Sequence, residues 1–479
     1  MSMPMLSPLF LILLFSLTFP ATKSTAVQRN HPMRLRFGKN GEFKILQVAD
    51  MHYANGKGTP CEDVLPYQIS SCSDLNTTAF VRRMILAEKP DLIVFTGDNI
   101  FGFDATDAAK SLDAAFAPAI ASNIPWAAVL GNHDQESTLS REGVMKHIVG
   151  LKNTLSKVNP SGVKTINGFG NYNLEVGGVK GSDFENKSVL NLYFLDSGDY
   201  STVPGIFGYG WIKPSQQFWF QLTSAKLKLK WKLVSSKEFV GPMTKKTSTH
   251  VLLTPYTFRL TTSQLREAKR ERHCCWRMTQ EKGRMWGGGG GGGREAVNGS
   301  LGWERVKQQS RRTNQQEREG YRRCVLASSN QRAYMNKPFP QKTAAPGLTF
   351  FHIPLPEFSS FDASNYTGVR QEGISSPSVN SGFFTSMVEA GDVKAVFTGH
   401  DHLNDFCGLL TGINLCYGGG FGYHAYGKAG WSRRARVVVA NLERTAKGNW
   451  GSVKSIRTWK RLDDKHLTPI DSQVLWSKS

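Results

Sequence analysis

Apart from residues 6 to 19, the chain has no apolar run long enough to cross a bilayer, which excludes a membrane-spanning helix in the mature protein. That one run is too short for a comfortable span and is followed by Ala21-Thr22-Lys23-Ser24-Thr25-Ala26. Residues 1–26 are therefore expected to be a secretory signal peptide cleaved near Ala26, although no lysine or arginine precedes the run. Cysteine is scarce, with seven among 479 residues. Cys61, Cys72, Cys407 and Cys416 form two close pairs, while Cys274, Cys275 and Cys324 sit apart. In an oxidising compartment the first four suggest two disulfides, local pairing being one of three connectivities. Asn76, Asn186 and Asn365 open glycosylation triplets, which are common by chance.

Acidic residues are also short, 38 against 59 basic ones, for a net charge of +21. The deficit is local. Residues 228–331 hold 22 Lys and Arg against 8 Glu, a net of +14, together with the glycine run Gly287–Gly293 and the three separate cysteines. No sustained apolar periodicity organises this stretch, so it is expected to be disordered or poorly packed. One reading is a basic arm for nucleic acid or an acidic surface. The other, which we adopt as the expectation, is a translated intron absent from the mature protein. The rest of the chain carries a net of only +7, so its basicity is no argument for nucleic-acid binding. Hydrophobic content of 40% and charged content of 20% fit a globular protein with an ordinary core.

What is present is a repeated grammar of strands that stop at polar clusters. Residues 43–49 read as a strand ending in Asp50-Met51-His52. Residues 80–88 read as a helix, and 91–96 as a strand ending in Gly97-Asp98-Asn99. Residues 105–121 have helical spacing, and 125–130 form a strand ending in Gly131-Asn132-His133-Asp134. Further on come a strand at 189–195, a helix at 211–227, and a strand at 348–351 that runs into His352. A helix at 380–390 precedes Val396-Phe397-Thr398-Gly399-His400-Asp401-His402, and a late strand covers 436–440. Alternating strands and helices indicate α/β layering. Each cluster falls at a strand's carboxyl end, where open α/β sheets place ligands.

Asp50, His52, Asp98, Asn132, His352, His400 and His402 form a mixed oxygen and nitrogen set, suited to manganese, iron or zinc rather than calcium. Seven ligands are too many for one ordinary site. Two cations sharing a carboxylate would use them all, with Asp98 the natural bridge. Such a pair can clamp a phosphate and supply a hydroxide nucleophile, so no serine or cysteine nucleophile is required.

In their order these motifs resemble the calcineurin-like metallophosphoesterases, and the stretch from Asp401 to Cys407 resembles the plant purple acid phosphatase-like branch. The resemblance covers about residues 37–227 and 332–479, the two parts of one metallophosphoesterase domain. It implies a four-layer fold, a β-sandwich of two mixed sheets flanked by helices, with a dinuclear metal site at the strand ends. It implies Asp50, His52 and His402 on one metal, Asn132, His352 and His400 on the other, and Asp98 between them. His133 would be the acid that protonates the leaving group, and Asp134 would orient His133. The implied cofactors are two metal ions, iron with zinc or manganese. The implied activity is hydrolysis of a small phosphorylated substrate or phosphoprotein by a secreted or vacuolar enzyme. A catalytically inactive binder of phosphorylated ligands is the alternative. Phe101 stands where purple enzymes place a tyrosine ligand, so the purple ferric site is not implied.

Overall fold

The computed structural model describes residues 34–160, 166–236 and 345–478. The signal-peptide region and residues 237–331 of the basic segment lie outside the described residues. Two mixed sheets form the body. The first contains β1 (Glu42–Val48), β2 (Leu92–Thr96), β3 (Trp126–Val129), β11 (Arg434–Arg444), β12 (Trp450–Leu462) and β13 (Pro469–Ser477), in the order β13-β12-β11-β1-β2-β3. The second contains β4 (Tyr172–Gly177), β5 (Ser188–Phe194), β6 (Gly347–Phe350), β7 (Tyr366–Thr367), β8 (Val393–Thr398), β9 (Cys407–Leu410) and β10 (Ile413–Tyr417), in the order β4-β5-β6-β8-β10-β9-β7. β1, β2 and β3 run parallel, as do β5, β6, β8 and β10, so each sheet sends several strand ends in one direction.

Register explains much of the core. Tyr172 pairs with Phe194, Phe194 with Phe350, and Phe350 with Phe397 across four neighbouring strands. Their rings follow one another at centroid distances of 4.6, 5.2 and 5.3 Å, an aromatic row facing the same core as the first sheet. The neighbouring residue Tyr193 points the other way, as a two-residue period requires, and meets Phe220 at 5.0 Å. Phe220 lies on α4 (Pro214–Ser236), which with α5 (Phe383–Ala390) covers the outer face of the second sheet. On the first sheet, Phe80 and Met84 of α1 (Asp74–Glu88) and Leu112 and Phe116 of α2 (Ala108–Ser122) fill the same role. α3 (Arg141–Gly150) adds Val144, Met145 and Ile148. Helices, sheet, sheet and helices make the expected four layers.

Element ends depart from expectation where polar caps hide the period. α1 begins at Asp74 rather than near Phe80, because Ser73 and Asn76 cap each other's backbone reciprocally. It ends where Lys89 turns left-handed before Pro90. α4 runs on to Ser236, so the helix extends past residue 227 into the basic segment. The Cys61–Cys72 and Cys407–Cys416 disulfides are present, the second joining residues directly opposite each other on β9 and β10.

A buried ion cluster ties the sheets together. Asp405, just before β9, accepts from Lys460 of β12 at 2.5 Å, Arg434 of β11 at 2.6 Å and the Val369 amide at 2.7 Å. Lys460 also meets Asp471 at 2.6 Å. Burial works against the ionised carboxylate, but Lys460 and Arg434 outweigh it and hold Asp405 below the usual range. Its stabilisation is therefore present above the ordinary carboxylate pKa near 3.8 and lost as pH falls through the depressed folded value. Removing one partner leaves buried charge unpaired. Asp405→Ala is expected to cost about 3–5 kcal/mol near neutral pH, read as a lowered urea midpoint.

Candidate metal centre

The strand ends bring the candidate ligands together. Asp50, His52, Asp98 and His402 are buried, with donor atoms all within 4.8 Å of one another. Asp98, His352 and His400 form a second such group, so Asp98 belongs to both. One oxygen, Asp98 Oδ2, lies 3.3 Å from His52 Nε2 and 3.1 Å from His352 Nε2. Asn132 follows β3, fully buried, and neither atom of its side-chain amide has a hydrogen-bond partner. His133 lines the same cavity as His52, Asp98, His400 and His402.

The local chain geometry is unusual where it must be. Asp50 (φ 56), His52 (φ 45), Asp98 (φ 45) and His400 (φ 81) all adopt the left-handed region that residues with a Cβ avoid. Each such residue costs on the order of 1–3 kcal/mol, sustained only because its surroundings fix it. Asp50 is held by the His400 amide at 2.8 Å, and Asp98 by the His133 amide at 2.9 Å. The motif glycines are needed for approach: a Cβ on Gly131 would collide with Asp98, and one on Gly97 with the His352 ring.

The imidazoles are oriented from outside the cluster. His352 Nδ1 donates to the Thr96 carbonyl at 2.9 Å, and His402 Nδ1 to the Tyr426 carbonyl at 2.9 Å. Each contact leaves Nε2 for a cation, the usual arrangement of a ligating histidine. The donors that remain fit this role. Asp50 Oδ2, His52 Nε2, His352 Nε2 and His400 Nε2 are buried with no hydrogen-bond partner, a cost ordinary packing does not leave unanswered. Electrostatics agree. Burial pushes the Asp50 carboxyl up to about 8. Burial with the neighbouring His352 pushes His400 down to about 3. For His352, burial is outweighed by Asp98, which raises it to about 9.

One expected pairing is not found. Asp134 does not orient His133. Its buried carboxylate turns inward and accepts from the Gly131 amide at 2.7 Å, the Asn99 amide at 2.9 Å, the Ile100 amide at 3.1 Å and Asn99 Nδ2 at 3.1 Å. Glu136 takes the other task, its Oε2 lying 2.6 Å from His133 Nδ1. The i, i+3 spacing in Gly131-Asn132-His133-Asp134-Gln135-Glu136 was the available signal. Phe101 stacks on His52 at 5.4 Å and meets His133 edge-on at 4.9 Å. His424 lines the cavity, with Nδ1 2.9 Å from the Pro60 carbonyl and Nε2 2.9 Å from Asp104.

Two mixed sheets, helices on both outer faces and an Asp/His cluster at the strand ends define a metallophosphoesterase. Residues 43–260 match the family model of calcineurin-like phosphoesterases, and the chain belongs to that family. It is 54% identical over 448 residues to "Probable inactive purple acid phosphatase 29" of Arabidopsis thaliana, covering 93% of this chain and 89% of the relative. It is 45% identical to "Probable inactive purple acid phosphatase 14" of the same plant, covering 93% and 87%. To "Phosphatase DCR2" of Saccharomyces cerevisiae it is 28% identical, covering 92% of this chain and 57% of that protein.

The two carboxylates near His133 are separable by mutation. Asp134→Ala orphans several buried donors and is expected to lower stability by at least about 3 kcal/mol. Glu136→Gln, which alters only the contact to His133 Nδ1, is expected to keep stability within about 1 kcal/mol. Chemical denaturation of the two variants checks both statements.

Proposed function

We propose that this chain is a secreted, dinuclear-metal phosphoesterase. The observation that carries the reading is the convergence of buried, partnerless donor atoms around Asp98 from both sheets. Asp50, His52 and His402 would hold one cation; Asn132, His352 and His400 the other; Asp98 both. Iron with zinc or manganese suits the mixed donors. When bound, the pair supplies Lewis acidity and an activated water. The chain's own groups do the rest. His133, doubly protonated, gives the Nε2 proton to the leaving oxygen, and Glu136, accepting from Nδ1, holds the Nδ1–H tautomer that remains. Asp134 acts one step further back, by holding the two turns that present Asp98 and Asn132. Substrates are phosphorylated small molecules or proteins, with no nucleic acid.

Formed disulfides, the apolar run at residues 6–19 and exposed sequons at Asn186 and Asn365 support passage through the secretory pathway, to the exterior or the vacuole. No helix among the described residues is long and apolar enough to cross a membrane. The alternative, an inactive binder of phosphorylated ligands or a partner, draws support from the names of the Arabidopsis relatives. It differs in outcome: metals bound, no ester turned over.

Asp98→Asn is expected to leave at most one of the two cations and to lower kcat by at least about 100-fold, beyond what losing an outer-sphere group costs. Elemental analysis beside hydrolysis of an aryl phosphate and a diester reads both, and full metal content with full turnover would overturn the bridging role. We also propose that the mature message lacks residues 228–331. Sequencing cDNA across codons 220–340 is expected to show their absence; a dominant full-length message would refute it.

A further inference from the structure

The cavity above the candidate metal ligands, about 270 Å³, is lined by histidines, three carboxylates, Ser375 and the rings of Phe101, Tyr209 and Tyr426. Beside His133, Phe101 lies against the imidazole and Phe103 stands edge-on to Phe101 at 5.9 Å and to His133 at 6.3 Å. Phe103 is 70% exposed, an apolar ring left in solvent next to the group that meets the leaving oxygen. Elsewhere on the wall Tyr426 is stacked on His402 at 3.8 Å and Tyr209 meets His400 edge-on at 4.4 Å. The charged lining apart from histidines is acidic: Asp98 itself, Glu62 and Asp401.

Among the described residues no lysine or arginine lines the cavity. Two nearby guanidiniums are committed elsewhere. Arg433 donates to the carbonyls of Glu62, Ala425 and Tyr426, and Arg141 to Asp196, Gln135 and Gly131. Sites that grip several phosphates supply several such cations, because each additional phosphate brings charge that needs a partner. Here a second phosphate would meet carboxylates. Charge binding is confined to the metal floor, and the exit path past His133 is aromatic.

We propose that the site takes a single phosphoryl group carried on a phenolic oxygen and discriminates against polyphosphorylated substrates, an inference that rests on the phosphoesterase reading. Hydrolysis adds one water across the ester. Its oxygen bonds phosphorus, the bond from phosphorus to the phenolic oxygen breaks with the electron pair on that oxygen, and the water's proton balances the phenolate. A phenol, with pKa about 10, leaves with less protonation than an alcohol. The aromatic leaving group packs on Phe101 and Phe103 as it departs, a geometry aromatic rings favour. The shared chemistry has two sources, a small phenolic phosphate or a phosphotyrosine side chain.

The test uses the full chain with its purified complement of metals and two readouts. In equilibrium titration, phenylphosphonate is expected to bind at least about tenfold tighter than methylphosphonate, and pyrophosphate no tighter than methylphosphonate. Phe103→Ala should narrow the first ratio to about threefold or less, and Glu62→Lys should shift preference toward pyrophosphate. Equal binding of the two phosphonates, pyrophosphate binding tightest, or no phosphonate binding at all would overturn the proposal. In turnover, kcat/KM for phenyl phosphate and a phosphotyrosine peptide is compared with 2-glycerophosphate and inositol hexakisphosphate. Aryl preference is expected, and the two aryl arms separate the sources. A preference for phenylphosphonate with no ester hydrolysed would remove the phosphoesterase reading and leave the selectivity standing. Hydrolysis without aryl preference would do the reverse.

Discussion

Everything in this structure bends around one buried carboxylate. Asp98 is 1% exposed, lies between the Nε2 atoms of His52 and His352, and sits on left-handed backbone. Burial favours its protonation, yet the two imidazoles hold it well below the ordinary carboxylate range. A buried anion needs cationic company. His352, which Asp98 pushes up against the effect of burial, supplies it in part, while the neighbouring Asp50 and His400 are both driven toward neutrality. Metal cations would resolve the conflict for all of them at once. The motif glycines, the strained turns and the outward-facing Nδ1 contacts are the structural conditions for keeping that arrangement in place.

Much of this was legible from residues alone, for a specific reason. A strand buried on both faces reads as an apolar run, and the run must stop abruptly where polar groups replace it. Five such stops hold the seven candidate donors, and the structure gathers six of them in two groups that share Asp98, with Asn132 buried in the turn after β3. The parts that escaped notice are those whose meaning lies in contacts across long sequence distances. Lys460 and Arg436 in β11 and β12 look like solvent-facing charges; they are buried, Lys460 on Asp405 and Asp471, Arg436 on the carbonyls of Tyr417 and Asp405. Nothing local announces those partners. The Lys-Leu-Lys-Leu-Lys-Trp alternation from Lys226 reads as a charge run, yet the helix continues through it.

The exchange of roles between Asp134 and Glu136 has the same origin. Asp134 and Glu136, two residues apart in the turn, face different ways. The turn after β3 points Asp134 back at the Gly131 amide, which fixes its other contacts to Asn99 and Ile100, and the residue two further on comes alongside His133. Sequence order suggested the nearer residue. Backbone geometry selects the farther one. The second partner of His402, the Tyr426 carbonyl, is invisible in any motif because it is main chain.

The ligands divide between the sheets. Asp50, His52, Asp98 and Asn132 follow strands of the first, while His352, His400 and His402 follow strands of the second. Cations held there would be rivets between the two sheets, and their binding free energy would enter the stability of the whole molecule through mass action. The last donors arrive long after the first, beyond the basic segment, so a nascent chain would complete this site only once His402 had been made. Metal content would then be a record of completed folding, and a cell short of such cations would accumulate a looser protein rather than merely an idle one.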